Sequence, residues 1–179
     1  SNLETLRAII QAAQKLRSPV IVGTSEGESK FLGLKQAVAL VKTFREETGL
    51  PIFLNLDHGR TFDYIKEAVD TGYDAVNFDG SEFPLNKNIK ETKRAVSYAR
   101  RFRALTEGAV GIIGGVLTDA KEAQKFVKET RVDSLALSVG SIHGIGSSGL
   151  DPRLKMERLK EIKNKLGNTF LVLHGGSGI

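Results

Sequence analysis

The sequence predicts a parallel α/β protein of the (β/α)8-barrel (TIM barrel) type, and two observations lead to that prediction. Six short apolar runs alternate with amphipathic helical segments, and the runs are apolar on both faces, as in parallel strands covered by helices. Polar residues and glycines end these runs in GTSEG, LDHG, FDGS, TEG, SIHG and LHGGSG. Chemistry at many strand ends is typical of a barrel, whereas a doubly wound open sheet concentrates it at one switch point.

The elements follow one another in a regular order. A helix is predicted over LETLRAIIQAAQKL, with Ser1 or Asn2 as its N-cap, because apolar residues recur there at helical spacing. The strand PVIVGTS leads to the helix GLKQAVALVKTFREETG, which Gly49 closes, and then to the strand PIFLNLDHG. The helix TFDYIKEAVDTG, the strand DAVNFDGS and the helix NKNIKETKRAVSYARRF come next. The pattern ends with the strand RALTEGAVG, the helix DAKEAQKFVKET, the strand DSLALSVGSIHG, the helix RLKMERLKEIKNKLG and the strand TFLVLHGG.

Length, composition and charge exclude several classes of protein. The 179 residues fit one domain, residues 1–179, and neither a linker nor a membrane-spanning apolar run is evident. The chain has no cysteine, which excludes disulfides and thiolate metal sites and makes a cytoplasmic location the default expectation. The net charge of +5 is spread over helices that also carry Glu and Asp, so we expect neither a nucleic-acid nor a membrane partner.

The histidines carry the sharpest chemical signal. All three, His58, His143 and His174, end an apolar strand, and a glycine follows each of them. A single strand-end histidine is commonly a hydrogen-bonded structural residue, but three at equivalent strand ends predict a shared site. Three imidazoles with an open fourth position form a catalytic zinc site. The following glycine would let the backbone turn and a ligand approach closely.

Two aspartates lie beside these positions. Asp57 directly precedes His58, and since neighbouring strand residues point to opposite faces, both reach one site only where the strand curls. Asp57 could orient a histidine, act as an acid or base, or be a turn residue. Asp79, at the end of the next strand, leaves the choice between metal ligand, orienting residue and turn residue open.

Four blocks of the sequence resemble one family. PIFLNLDHG, AVNFDGSEFPLNKNIKETK, SLALSVGSIHG and LVLHGGSG resemble, in order and over essentially the whole chain, the class II metal-dependent fructose-bisphosphate aldolases and their tagatose-bisphosphate relatives. The resemblance implies zinc bound by His58, His143 and His174, a proton-donating Asp57 and a second cation at Asp79. It also implies a dihydroxyacetone phosphate site at Gly144, Gly175, Gly176 and Ser177, with Ser25 near the substrate.

The implied reaction suits the residues at the strand ends. Splitting a ketose bisphosphate leaves a carbanion beside a carbonyl, whose charge a zinc ion can stabilise as a Lewis acid. The metal-free route needs a lysine Schiff base, and no lysine ends a predicted strand. Backbone N–H groups of a glycine-rich turn suit a phosphate.

Three departures from the family pattern matter. The family reads E-x-E-L-G where this chain reads EGAVG, so Glu107 keeps the first acid but Ala109 replaces the second, which weakens the second cation site. The mobile acidic loop that supplies a proton-abstracting glutamate is missing between Val116 and Leu117. The first and last barrel strands are also missing. We expect the chain to be the ordered part of a longer protein, with a genuinely truncated fragment as the alternative.

The resemblance therefore implies a zinc-dependent aldolase of carbohydrate metabolism, in the reaction type of glycolysis. Fructose 1,6-bisphosphate is the expected substrate, tagatose bisphosphate an alternative, and a homodimer or homotetramer the expected assembly. A non-catalytic relative that keeps the metal or phosphate site stays open because of Ala109 and the missing loop. A nucleic-acid binder is the least favoured class.

Overall fold

The computed structural model describes residues 2–142 and 153–176. Its contacts divide the chain into two compact units. The first unit comprises Ser1–Phe78 and Tyr98–Leu105, and the second comprises Asp79–Ser97 and Thr106–Ile179. Each unit combines three parallel strands with helices, as the alternation in the sequence predicts.

The first unit begins with four helices and three strands. The strands β1 (Val20–Ser25), β2 (Ile52–Gly59) and β3 (Ala75–Phe78) pair in parallel in chain order. The helices are α1 (Leu3–Leu16), α2 (Glu26–Leu32), α3 (Leu34–Thr48) and α4 (Phe62–Thr71). Its buried apolar side chains include Ile52, Leu56, Ile65 and Val76, each 0% exposed. Alternate β2 residues thus pack inward beneath α4, which fixes the direction of the strand end.

The second unit has the same layout. Its strands β4 (Leu105–Val110), β5 (Ser134–Leu137) and β6 (Phe170–Leu173) are parallel and also pair in chain order. Its helices are α5 (Leu85–Arg101), whose last turn belongs to the first unit, α6 (Ala120–Thr130) and α7 (Met156–Leu166). A single apolar cluster centred on Phe126, Leu135 and Ile162 joins these helices to the strands. Burying such side chains is the main stabilising term of the unit.

Helix ends follow the capping rules that the sequence indicated. The side chain of Asn2 accepts a hydrogen bond from the Thr5 N–H at 2.8 Å, so Asn2 is the N-cap of α1. Gly49 ends α3 in the left-handed conformation, with φ 68°, as expected for a C-terminal glycine. Among the described residues, no helix is long and apolar enough to cross a membrane.

Helix α2 is the element that the sequence analysis missed. Ser25 accepts a hydrogen bond from the Glu28 N–H, and the Glu28 side chain accepts one from the Ser25 N–H, which is a complete capping box. The signal was visible as S-x-x-E directly after β1. The stretch GTSEG is therefore both a strand end and a helix start.

Residues 111–119 form a continuous turn. The Ile112 N–H donates to the Val116 carbonyl at 2.9 Å, and the Thr118 N–H donates to the Ser138 carbonyl at 2.9 Å. Val116 and Leu117 thus lie between two hydrogen-bonded residues of this segment, Ile112 and Thr118. That a longer acidic loop belongs at this point stays a prediction.

Candidate active site

The end of β2 places Asp57 and His58 on the same side of the strand. The pairing of β2 with β3 shifts between Leu56 and Gly59, because Leu56 pairs with Val76 and Gly59 pairs with Phe78. One extra residue on β2 is a β-bulge, and His58 adopts a positive φ of 51° within it. As a result, Asp57 Oδ2 lies 3.9 Å from His58 Nε2. The predicted curl of the strand end is present, and its cause is the bulge.

Gly59 has a different role from the one expected for it. Its φ is not positive, and a Cβ atom there would lie 2.7 Å from Ile65 Cδ1 and 3.1 Å from the Asn77 carbonyl oxygen. Glycine is needed because α4 and β3 approach closely, and the turn itself falls on His58. The expectation that this glycine gives the backbone its turn is wrong at this position.

Ser25 lies beside Asp57. The register of the parallel pair β1–β2 sets Ser25 opposite Asp57, at the last residue of β1. The Ser25 Oγ accepts the Glu28 N–H at 3.1 Å, and the hydroxyl keeps its own hydrogen for donation. The first unit therefore brings together the predicted residues Ser25, Asp57 and His58.

The second unit holds a histidine–carboxylate pair that the sequence analysis did not predict. His174 Nε2 lies 2.8 Å from Glu107 Oε1, and the two side chains are only 11% and 12% exposed. The residues are far apart in the sequence, so no local motif could have linked them. Glu107 was recognised only as the acid that remains beside Ala109.

Asp79 takes part in a local turn. Its Oδ1 accepts the Ser81 N–H at 3.2 Å and the Ser81 hydroxyl at 2.6 Å, as in an Asx turn ahead of α5. On β4, the carbonyl of Ala109 accepts a hydrogen bond from the side-chain amide of buried Asn88 at 2.8 Å. A methyl group cannot ligate a cation, and the Asn88 contact is structural. The part of Asp79 in a second cation site stays a prediction.

Other predicted site residues divide into two groups. Gly175 follows His174 with a positive φ of 70°, and a Cβ atom at Gly176 would meet nothing within 4 Å. The Gly175 backbone can therefore turn off β6, as expected for a phosphate-binding segment. His143, Gly144 and Ser177 lie outside the described residues.

The donor chemistry of the described residues fits zinc. Imidazole nitrogens and carboxylate oxygens are both zinc ligands, and the chain contains no cysteine that would favour a closed thiolate site. A histidine that donates its other ring N–H to a carboxylate is a usual feature of such sites, and the pair of His174 and Glu107 has this arrangement. The carboxyl ends of parallel strands, where these residues lie, are the place at which α/β barrel enzymes carry their active sites.

Comparison with known proteins identifies the family. The family model for class II fructose-bisphosphate aldolases matches residues 1–179, and the chain belongs to that family. A 6-phospho-5-dehydro-2-deoxy-D-gluconate aldolase of Shouchella clausii is 38% identical over 100% of this chain and 64% of its own length. A fructose-bisphosphate aldolase of Geobacillus stearothermophilus is 36% identical over 100% of this chain and 66% of its own length. The chain thus spans just under two thirds of these relatives.

A solved structure confirms the predicted fold class. The YdjI aldolase of Escherichia coli K12 matches with a TM-score of 0.89 and 31% identity, covering 99% of this chain and 65% of that one. The α/β architecture of parallel strands and helices is thus consistent with part of a TIM barrel. The resemblance noted in the four sequence blocks is confirmed as well.

Proposed function

We propose that this chain carries the active site of a zinc-dependent aldolase that reversibly cleaves a ketose bisphosphate. The expected substrate is fructose 1,6-bisphosphate, and the products are dihydroxyacetone phosphate and glyceraldehyde 3-phosphate. The main support is the bulge at the end of β2, where Asp57 Oδ2 lies 3.9 Å from His58 Nε2. The chain that carries this bulge matches the class II aldolase family over residues 1–179. An acid/base group next to a metal ligand is the arrangement that this reaction needs.

His58, His143 and His174 would hold the zinc ion. When bound, it would act as a Lewis acid that stabilises negative charge next to the substrate carbonyl. Glu107 would keep His174 in one orientation through the 2.8 Å hydrogen bond to Nε2. Asp79 would contribute to a second cation site, which is weakened because Ala109 supplies no carboxylate.

Asp57 would move the proton of the bond-breaking step. In the condensation direction it gives a proton to the aldehyde oxygen, and in cleavage it takes the proton from the corresponding hydroxyl. Backbone N–H groups of Gly144, Gly175, Gly176 and Ser177 would bind the phosphate of the triose half. The Ser25 hydroxyl, which lies next to Asp57 on the neighbouring strand, would donate to the substrate.

The choice among phosphorylated sugars is open to test. Relatives of similar identity are named for fructose bisphosphate and for 6-phospho-5-dehydro-2-deoxy-D-gluconate, so the second compound joins tagatose bisphosphate as a candidate substrate. A cytoplasmic homodimer or homotetramer that works in glycolysis is part of the proposal. A non-catalytic relative is the alternative, and Ala109 together with the short turn at residues 111–119 supports it.

Metal analysis and an aldol-cleavage assay with the three candidate substrates test the proposal. We expect about one zinc per chain and cleavage of at least one substrate. Asp57→Asn should lower the cleavage rate by roughly 10²–10⁴, the range for losing a general acid or base, and leave zinc content unchanged. Asp63→Asn, the same substitution at an exposed position on α4, is the matched control and should cleave like the wild type.

Two results would contradict the proposal in different ways. Unchanged cleavage by Asp57→Asn would remove Asp57 from the mechanism and leave it as a turn residue. Stoichiometric zinc without cleavage of any candidate substrate would favour the non-catalytic relative.

A further inference from the structure

We infer that Glu26, on α2, is a positioning residue that holds the β2 bulge in the shape that His58 needs to bind a metal ion. The inference rests on the proposed function, because it takes His58 as a metal ligand. It concerns a residue of the GTSEG strand end to which the sequence analysis gave no role. Glu26 acts on the site through the backbone of the bulge.

The bulge needs support from its surroundings. His58 has a φ of 51°, in the left-handed region that residues with a Cβ rarely occupy. Such a conformation persists only where neighbouring contacts enforce it. On one side, Gly59 lies against Ile65 and the Asn77 carbonyl, so close that a Cβ atom would clash. A second contact is needed beyond His58 to fix the direction in which the chain leaves the bulge.

Glu26 provides that second contact. Its Oε2 accepts the backbone N–H of Arg60, two residues after His58, at 2.8 Å. Its Oε1 accepts Lys30 Nζ at 2.5 Å, and the Glu26 side chain is only 16% exposed. Hydrogen bonds to an ionised carboxylate are shorter and stronger than neutral ones. Burial raises the pKa of Glu26, but the hydrogen bonds from Lys30 and Arg60 outweigh it and leave the pKa below its ordinary value.

Helix α2 gives Glu26 a fixed base. The capping box of Ser25 and Glu28 closes the first turn of the helix, in which Glu26 lies. Ser29 Oγ lies 2.8 Å from Tyr64 Oη, which ties the next turn of α2 to α4, the helix that follows the bulge. Glu26 therefore links α2 to the segment that follows β2. The contact between Ser29 and Tyr64 fixes the distance between α2 and α4 independently of Glu26. Ser25 is the N-cap of the same helix. Helix α2 therefore positions both Ser25, which is expected near the substrate, and the bulge that carries His58.

The ion pair with Lys30 cannot account for the geometry of the bulge by itself. Lys30 is 59% exposed and pairs with Glu26 at i, i+4 on one helix, an arrangement that contributes little to stability. The contact to Arg60 is different, because it joins residues 34 positions apart and ends on a backbone N–H. Variants can separate the two contacts.

The test compares Glu26→Ala, Glu26→Asp, Glu26→Gln and Lys30→Met in the full chain. Zinc affinity is measured by competition with a chromogenic chelator, and the ligand geometry by the visible absorption of the cobalt(II) form. Glu26→Ala should weaken zinc binding about tenfold, at the low end for partners outside the ligand set, and should shift the cobalt(II) bands. Glu26→Asp keeps the charge but is one methylene too short for Arg60, and should behave like Glu26→Ala. Circular dichroism identifies the temperature range in which each variant is folded.

The other two variants, Glu26→Gln and Lys30→Met, should keep zinc affinity close to that of wild type. Glu26→Gln retains an acceptor for the Arg60 N–H and should restore affinity to within about threefold of wild type, since a single neutral hydrogen bond replaces a charged one. Lys30→Met removes the ion pair and the cation–π contact of Lys30 Nζ with the Tyr64 ring, but keeps the Ser29–Tyr64 contact and the Arg60 contact of Glu26, and should leave affinity and spectrum unchanged. A loss of helix α2 stability alone would not produce rescue by Gln together with failure of Asp.

Each contrary outcome has a distinct meaning. If wild type binds zinc stoichiometrically and both Glu26→Ala and Glu26→Asp bind it equally well, the positioning role is wrong while the proposed function stands. Should Glu26→Ala not fold, equal affinity and spectra for the Asp and Gln variants would overturn the inference. If wild type binds no zinc at all, the proposed metal site and this inference fail together.

Discussion

The hydrogen bond between Glu107 and His174 determines which ring nitrogen could serve a metal. With an ionised Glu107, the contact at 2.8 Å places the imidazole proton on Nε2. The lone pair of the neutral ring then lies on Nδ1. The two side chains are almost buried, so the hydrogen bond is little weakened by competing water. Glu107 therefore orients the His174 ring, and a carboxylate that accepts from Nε2 favours the tautomer that leaves Nδ1 to a metal ion.

This pairing leads to a prediction for Glu107. Glu107→Ala should weaken zinc binding about 10- to 100-fold, the range for partners that orient a ligating histidine, and Glu107→Gln should weaken it less. Isothermal titration of the metal-free protein with zinc measures the change. Glu129→Gln, at an exposed carboxylate paired with Lys93, is the control and should not alter zinc affinity. Equal affinities for Glu107→Ala and wild type would leave Glu107 a structural partner only.

Some side-chain groupings could be predicted from the sequence and others could not. The grouping of Asp57 with His58 was predicted because both are adjacent at one strand end. The contacts of Glu26 with Arg60 and of Glu107 with His174 were not, because they join residues 34 and 67 positions apart. Such contacts depend on strand order and register, which a single sequence does not specify at the level of side chains.

Helices and strands were predicted more completely than their ends. The alternation of apolar runs with helical periodicity located each of the six strands and all helices except α2 among the described residues. Helix α2 was missed because its seven residues were interpreted as the loop after β1. Strand β5 ends at Leu137, earlier than predicted, since Ser138 begins hydrogen bonding to the turn at residues 111–119.

Helix α6 allows a prediction about pH. Its N-cap Asp119 accepts the N–H groups of Lys121 and Glu122 at 2.8 and 3.0 Å. The hydrogen bond from the Glu122 N–H is the largest cause that holds the pKa of Asp119 below its ordinary value of 3.8; burial opposes it, and the Lys121 N–H adds to it. A lowered folded-state pKa means that the charged form stabilises the protein above the ordinary pKa. This stabilisation is lost as the pH falls through the folded-state pKa.

Thermal melts of wild type and Asp119→Asn across this pH range check the prediction. Asparagine also caps helices but cannot ionise. Wild type should therefore melt higher than the variant at neutral pH, and the difference should vanish as the pH falls below the folded-state pKa of Asp119. A difference that stayed constant with pH would mean that the charge of Asp119 contributes nothing to the stability of α6.

At the scale of the whole chain, the fold class could be predicted because the same sequence pattern, an apolar strand with a polar end followed by a helix, is repeated. Polar strand ends recur along the chain, and the structural match to YdjI aldolase, which covers 99% of this chain, confirms the class. The alignments with the Shouchella and Geobacillus relatives extend over 191 and 192 positions, more than the 179 residues of this chain. These relatives therefore contain internal residues that this chain lacks.

The turn at residues 111–119 is the predicted place for such residues. Val116 is 67% exposed, and Thr118 anchors the following segment through its contacts with Val110 and Ser138, so an insertion between Val116 and Leu117 should be tolerated. Inserting the acidic loop of an aldolase relative there should increase the exchange of dihydroxyacetone phosphate protons with solvent by roughly 10²-fold, the lower end for an added general base. Deuterium incorporation followed by NMR measures this exchange.

A Gly/Ser insertion of equal length is the control, and it should leave the exchange rate unchanged. If both insertions had the same effect, the glutamate of the loop would have no part in proton abstraction. If neither accelerated exchange while the protein bound zinc, the non-catalytic relative would be favoured.

The bulge in β2 also shifts the alternation of buried and exposed side chains along the strand by one residue. Ile52, Leu54 and Leu56 are buried on alternate positions, and the next buried residue is Gly59, three positions later. Two consecutive side chains, those of Asp57 and His58, are thereby released from the core without disturbing the alternation before them. A single-residue deletion in this interval would restore strict alternation and leave one polar side chain at the strand end in place of two. The site is therefore encoded in the spacing of the strand as much as in its residues: substitutions can tune its chemistry, but a change of length would abolish it.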